Sequence, residues 1–191
     1  GGSLEQSRNP MYQAVFALRG KPLNCYGLKL DTVYTNEEFF YIVHTLDIEE
    51  DIDNLRYAKV IIATDADVDG LHIRNLLITF FLTFFEPLVL SGHLYILETP
   101  LFRVRNKKET HYCYSEEERD ETAKKLGKGA EITRFKGLGE ISPKEFGQFI
   151  GDDIKLEKVT IEHSKGISEM LKFYMGDNNP ERWEHIVNNL V

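Results

Sequence analysis

The stretch from Lys59 to Leu97 constrains the fold most. Lys59-Val-Ile-Ile-Ala63 is a short apolar run rich in β-branched residues, the pattern of a strand buried on both faces in a parallel sheet. It leads into Asp65-Ala-Asp-Val-Asp-Gly70, and then into an apolar-rich stretch from Leu71 to Phe85 that suits a buried helix. Pro87 bends or ends that helix, Ser91-Gly92 supplies a turn, and His93-Leu-Tyr-Ile-Leu97 reads as a second strand. Strand, helix and strand in that order predict a βαβ unit, and so an α/β fold with a right-handed crossover.

The flanking segments supply the remaining elements. Met11 to Leu18 reads as a strand ended by the turn-forming Arg19-Gly20-Lys21-Pro22. Thr35-x-x-Glu38 has the spacing of a capping box, with Phe39, Phe40, Ile42, Val43 and Leu46 forming an amphipathic helix behind it. Leu101–Arg105 and Thr110–Tyr114 alternate around Asn106-Lys-Lys-Glu109 and predict a hairpin. Ser115-x-x-Glu118 opens a charged helix, and Ile132-Thr-Arg-Phe135 is a short strand before Lys136-Gly-Leu-Gly-Glu140. Ser142-Pro143 and Asn179-Pro180 each pair a helix N-cap with proline at the first helical position. The texture changes near residue 112, which divides the chain into 1–112 and a smaller α+β region, 113–191.

Composition excludes several classes. Hydrophobic residues make up 42% and charged residues 28% of 191, so the chain buries a core rather than staying disordered. Cys25 and Cys113 lie far apart with no C-x-x-C spacing, which argues against a disulfide scaffold or a zinc site and fits a cytoplasmic setting. No start segment has the charged-then-apolar form of a secretion signal. The apolar run from Leu76 to Leu90 is broken by Glu86 and Pro87, so no membrane span is expected. The net charge of −8 opposes binding of nucleic acid by the whole surface. It is unevenly spread: residues 1–30 carry +3, residues 31–54 carry −8, and residues 99–114 carry +3. A polyanion could use the positive segments, although such runs also occur as plain solvated faces.

Asp65, Asp67 and Asp69 alternate directly after the first strand. In extended backbone their carboxylates would project to one side, at the sheet edge where α/β proteins place ligands. Like charges this close need solvent or a cation to offset them, and oxygen-only ligands favour Mg²⁺, Mn²⁺ or Ca²⁺. An EF-hand loop opens the same way, but its twelfth position would be Leu76 rather than Glu, and a strand precedes it here. A plain acidic helix cap is the structural alternative.

These residues resemble a family. Thr64-Asp-Ala-Asp-Val-Asp-Gly70 with His72, Arg74 and Leu76–Phe81 is similar to the Toprim domain of type IIA topoisomerase B subunits. Ala17-Leu-Arg-Gly-Lys21-x-x-Asn24 resembles that family's P-L-[KR]-G-K-x-x-N stretch, and Arg134-Phe-Lys-Gly-Leu-Gly-Glu140 its R-[YF]-K-G-L-G-E box. The short route from Asn24 to Asp65 and the uninterrupted tail look more like the topoisomerase IV branch than gyrase, which stays the alternative.

The resemblance implies a Toprim-type, mostly parallel sheet flanked by helices, with Mg²⁺ at a DNA-cleavage site. Asp65 would bridge two metal positions, Asp67 complete one, and Asp69 support the cluster. A further Glu, in an E-G-D-S-A segment, would stand immediately before Gly1-Gly2-Ser3, so this chain is expected to lack it. Lys21 and Asn24 would contact DNA, and Arg19, in the segment that borders the quinolone site in relatives, is grouped with them. Arg74 would hold a phosphate or pair with an aspartate. His72 reads as a packed or hydrogen-bonded histidine beside the DNA path, and Lys136 as a contact to DNA or the A subunit. The nucleophile would be a tyrosine of that A subunit in a heterotetramer of two A and two B subunits. ATP would be bound by an N-terminal domain outside this chain. The expected activity is double-strand cleavage and religation in ATP-dependent strand passage, with the isolated chain inactive. A non-catalytic docking module is the rival reading.

Overall fold

A computed structural model describes residues 2–161, 164–177 and 179–189. In chain order the helices and strands are α1 (Gly2–Ser7), α2 (Leu30–Val33), α3 (Glu37–Leu46), β1 (Val60–Ile62), α4 (Val68–Phe84), α5 (Glu86–Leu90), β2 (Leu94–Leu97), β3 (Phe102–Arg105), β4 (Thr110–Cys113), α6 (Glu116–Leu126), β5 (Glu131–Arg134), α7 (Pro143–Phe149), β6 (Leu156–Lys158), α8 (Ser164–Met175) and α9 (Asn179–Asn189). Short 3₁₀ turns occupy Ile52–Asn54 and Leu138–Glu140. The α/β expectation holds: β1, β2 and β6 form one sheet in the order β1-β2-β6, with α4 and α5 between the first two in sequence. A second sheet has the order β4-β3-β5.

Packing divides the chain into two compact units. Unit one comprises Gly1–Ala17, Ala63–Leu71 and Ile96–Glu157. Its β3 pairs antiparallel with β4 (Phe102 opposite Cys113) and with β5 (Phe102 opposite Arg134). Strand alternation puts Phe102 and Val104 on one face, where they bury with Cys113 against Ala123 and Leu126 of α6. A second cluster, Leu97, Phe135, Ile141, Phe146, Phe149 and Ile150, lies under α7, and Tyr112 meets Phe149 edge-to-face at 4.7 Å. The expected hairpin is present, its turn held by Asn106 Oδ1, which accepts from the Lys108 and Glu109 amides. Residue 112 falls inside β4, and compactness groups both of its sides in this unit.

Unit two comprises Leu18–Ile62, His72–Tyr95 and Lys158–Val191. Its core is aromatic: Phe39 of α3 stacks on Phe80 of α4 at 4.2 Å, both wholly buried, with Phe81, Phe85, Leu88 and Leu94 around them. Pro87 lies in the first turn of α5, where its missing N–H costs nothing, and α4 ends just before it.

Three expectations are corrected. Residues 11–18 form no strand: turn hydrogen bonds take the backbone there, with Gln13 N donating to Asn9 O and Met11 N to Asn9 Oδ1. Met11 is left 88% exposed. The α3 cap is Asn36, whose side chain accepts from Phe39 N, while Thr35 Oγ1 donates back to Thr32 O. Strand β1 lies at a sheet edge with only Ile62 buried, and Ile61 is exposed.

Candidate functional site

The aspartate run in unit one straddles the start of a helix, which changes its geometry. Asp65 lies in the loop after β1, Asp67 directly before α4, and Asp69 in the first turn of α4. Two helical residues apart means roughly 200° of rotation, so the shared projection expected of an extended backbone does not extend to Asp69. Among the described residues no three His, Cys, Asp or Glu side chains gather as a metal-holding group. All three carboxylates are exposed.

Two of them are anchored to backbone. Asp67 Oδ1 accepts from Gly70 N at 2.7 Å, the bond of an N-cap, and Asp67 O accepts from Leu71 N at 3.0 Å. Gly70 is obligatory for space: a Cβ there would stand 2.0 Å from the Asp65 carbonyl oxygen. Asp65 Oδ1 accepts from Leu138 N at 2.7 Å, a bond across 73 positions of sequence.

That bond joins the aspartate loop to the Lys136–Glu140 box. Gly137 has φ −150° and ψ 163°, a conformation open to any residue, so backbone freedom is not its purpose. A Cβ at Gly137 would lie 3.1 Å from both Cγ and Oδ1 of Asp65. Its bare Cα makes room for the carboxylate. Glu140 closes the turn, its Oε2 accepting from Lys136 N at 2.9 Å and its amide donating to Gly137 O at 3.1 Å. The Lys136 residue itself is exposed. Sequence reasoning missed Gly137 and Leu138 as neighbours of Asp65; the glycine-spaced box was the available signal.

The donor chemistry fits a hard divalent cation. Asp65 and Asp67 each commit one oxygen to a backbone amide and leave the second carboxylate oxygen for a ligand. Mg²⁺ is commonly held by one or two carboxylates together with water and substrate phosphates rather than by a full protein cage.

The other expected residues belong to unit two. Arg19 and Lys21 are exposed in the turn around Gly20, whose φ of +97° requires glycine. The Arg19 amide donates to Glu38 Oε1, so Glu38 holds this turn as well as standing in the first turn of α3. Asn24 is exposed, yet its amide is used at both ends: Nδ2 donates to Met175 O at 2.9 Å and Oδ1 accepts from Tyr26 N at 3.2 Å. His72 is exposed on α4. Arg74 is half-buried, and its Nε is buried with no hydrogen-bond partner among the described residues.

A second polar centre lies in unit one. Glu145, third residue of α7, accepts from Ser142 Oγ (2.7 Å), Arg103 Nη1 (2.7 Å) and Tyr112 OH (3.0 Å). Burial alone would raise its pKa, but the bonds from Ser142, Arg103 and Tyr112 outweigh that and bring it down to about 2. Burial first, then the bond to Glu145, pushes the Tyr112 hydroxyl up to about 12. The S-x-x-E spacing from Ser142 was the sequence signal for this residue.

Comparison with known proteins shows the family. The Toprim domain profile matches residues 1–99. The B subunit of DNA topoisomerase 4 from Borreliella burgdorferi is 59% identical over 191 residues, covering 100% of this chain and 32% of its own. The B subunit of DNA gyrase from Archaeoglobus fulgidus is 37% identical over 98% of this chain and 30% of its own. The chain thus spans about a third of the length of these relatives. The crystal structure of the Plasmodium falciparum topoisomerase II DNA-binding, cleavage and re-ligation domain shares the fold, with a TM-score of 0.76 at 23% identity over 91% of this chain and 25% of that one. The chain belongs to the Toprim family, among the B subunits of type II DNA topoisomerases.

Proposed function

We propose that this chain is the Toprim-bearing part of a topoisomerase IV B subunit, and that Asp65 and Asp67 hold a divalent cation, Mg²⁺ in the cell, for DNA cleavage and religation. The observation that carries the reading is the pair of carboxylates fixed by the Leu138 and Gly70 amides, each with an oxygen to spare. The 59% identity to a topoisomerase 4 relative, against 37% to a gyrase relative, favours the topoisomerase IV branch. When bound, the cation would polarise the scissile phosphate and offset charge on the departing oxygen. Asp69, in the first turn of α4, adds negative charge beside the pair.

DNA is the substrate in this reading, and an A subunit supplies the tyrosine nucleophile. ATP is used by another region of the whole, cytoplasmic protein. Residues 1–112 carry the Toprim part and 113–191 the C-terminal part. Arg19, Lys21, Arg74 and Lys136 offer positive charge to phosphates, which position DNA without reading its sequence. Asn24 and His72 are further polar groups assigned to DNA. Asn24 must release an internal bond to meet a base or phosphate. No described helix is long and apolar enough to cross a membrane.

The test is reconstitution of the full-length protein with its A subunit. Asp65→Ala should remove Mg²⁺-dependent cleavage of plasmid DNA while leaving assembly of the two subunits intact. Undiminished cleavage by that variant would refute the assignment.

A further inference from the structure

The Lys136–Glu140 box folds back on Asp65, and the contact has a form that space-filling alone would not require. Gly137 occupies an extended conformation that alanine could adopt, yet a Cβ there would press on the Asp65 carboxylate at 3.1 to 3.3 Å. The next amide, of Leu138, points at Oδ1 of the same carboxylate at 2.7 Å. Gly139, two residues on, has open space around its Cβ position. The spatial demand therefore falls on the glycine beside Asp65. Glu140 holds the turn closed by accepting from the Lys136 amide.

We infer that the Gly137-Leu138 peptide is a positioning device for Asp65: it fixes one carboxylate oxygen and so aims the other at the cation. The inference rests on the metal-holding reading of Asp65 given above. Leu138 makes no contact with the ligand; it acts through Asp65. A carboxylate that ligates a metal is commonly oriented by an outer hydrogen bond, and loss of such a bond weakens metal affinity by roughly 10- to 100-fold. An exposed aspartate without it would sample several rotamers and lose ordering entropy on each binding event.

Three measurements on the 191-residue chain test this. Mn²⁺ serves as the probe, its affinity read from water-proton relaxation, and the Leu138 amide is followed by ¹H–¹⁵N NMR. Gly137→Ala should weaken Mn²⁺ binding on the order of tenfold while leaving the metal-free melting temperature within a degree or two of the parent's. The Leu138 amide should shift on Asp65→Asn, which replaces a charged acceptor with a neutral one; this readout uses the parent fold if Gly137→Ala proves unstable. If Asp65→Asn weakens Mn²⁺ binding but Gly137→Ala binds like the parent, the positioning role is wrong and the metal-holding reading stands. A Leu138 amide indifferent to Asp65→Asn also overturns the positioning role. If Asp65→Asn leaves Mn²⁺ binding unchanged, the metal-holding reading fails and the positioning role falls with it.

Discussion

At Asp67 the side chain caps a helix, and in the proposed reading it also holds the cation, two ends that substitution can separate. Its Oδ1 caps α4 through the Gly70 amide, and the residue is exposed, with Asp65 nearby in sequence. Asparagine keeps an acceptor of the same shape and caps nearly as well; alanine removes it. In EDTA, Asp67→Asn should therefore stay within about 0.5 kcal/mol of the parent by urea unfolding, while Asp67→Ala loses about 1 kcal/mol. Equal losses for both would mean that charge at the helix start, rather than the cap, carries the stability. Of the two readings weighed from sequence, the structure shows the acidic cap, and the cation ligand belongs to the proposed function. The cap was legible because an acidic residue stands before an apolar helical run. The Asp65–Leu138 bond was not, because nothing local ties positions so far apart. Only the two glycines of the box hinted at close approach, and at Gly137 the reason proved to be room for a carboxylate rather than a turn.

Among the elements, α7 is the clearest case of sequence dictating structure, and its third residue sets an acid limit on unit one. Glu145 completes the capping box with Ser142 and also receives Arg103 from β3 and Tyr112 from β4, its side chain only 15% exposed. Folding lowers its pKa from an ordinary 4.5 to about 2. A carboxyl depressed in this way contributes stability above its unfolded pKa and loses it as pH falls through its folded pKa. The window here runs from pH 4.5 down to about 2, and the amount is on the order of 3 kcal/mol. Urea unfolding at pH 7 and at pH 3 should show Glu145→Gln less stable at neutral pH by that order, with a flatter acid dependence. A parent and variant that lose stability in parallel would contradict the assignment. The hairpin, α6 and α7 were readable because cap and turn residues act within a few positions. The stretch 11–18 was misread because apolar side chains there suggested a ladder that has no partner strand. Strand β1 was misread because an apolar run does not reveal that its strand lies at a sheet edge.

For the whole molecule, charge and family membership point the same way. Residues 31–54 carry −8, and Glu38 of that stretch accepts from the Arg19 amide, so in the proposed reading DNA would be positioned by local phosphate contacts with strong salt dependence. The relatives extend well beyond it, since it spans about a third of their length. In the proposed reading, what this chain contributes to that larger protein is the aspartate loop and the box folded upon it. Thermal melting across a Mg²⁺ titration, starting from EDTA, tests that claim most directly, because a ligand that binds only the native state raises its melting temperature by mass action. The parent's melting temperature should rise through millimolar Mg²⁺, while an Asp65→Asn/Asp67→Asn double variant stays flat. A parent that does not respond, or a double variant that responds equally, would contradict the account.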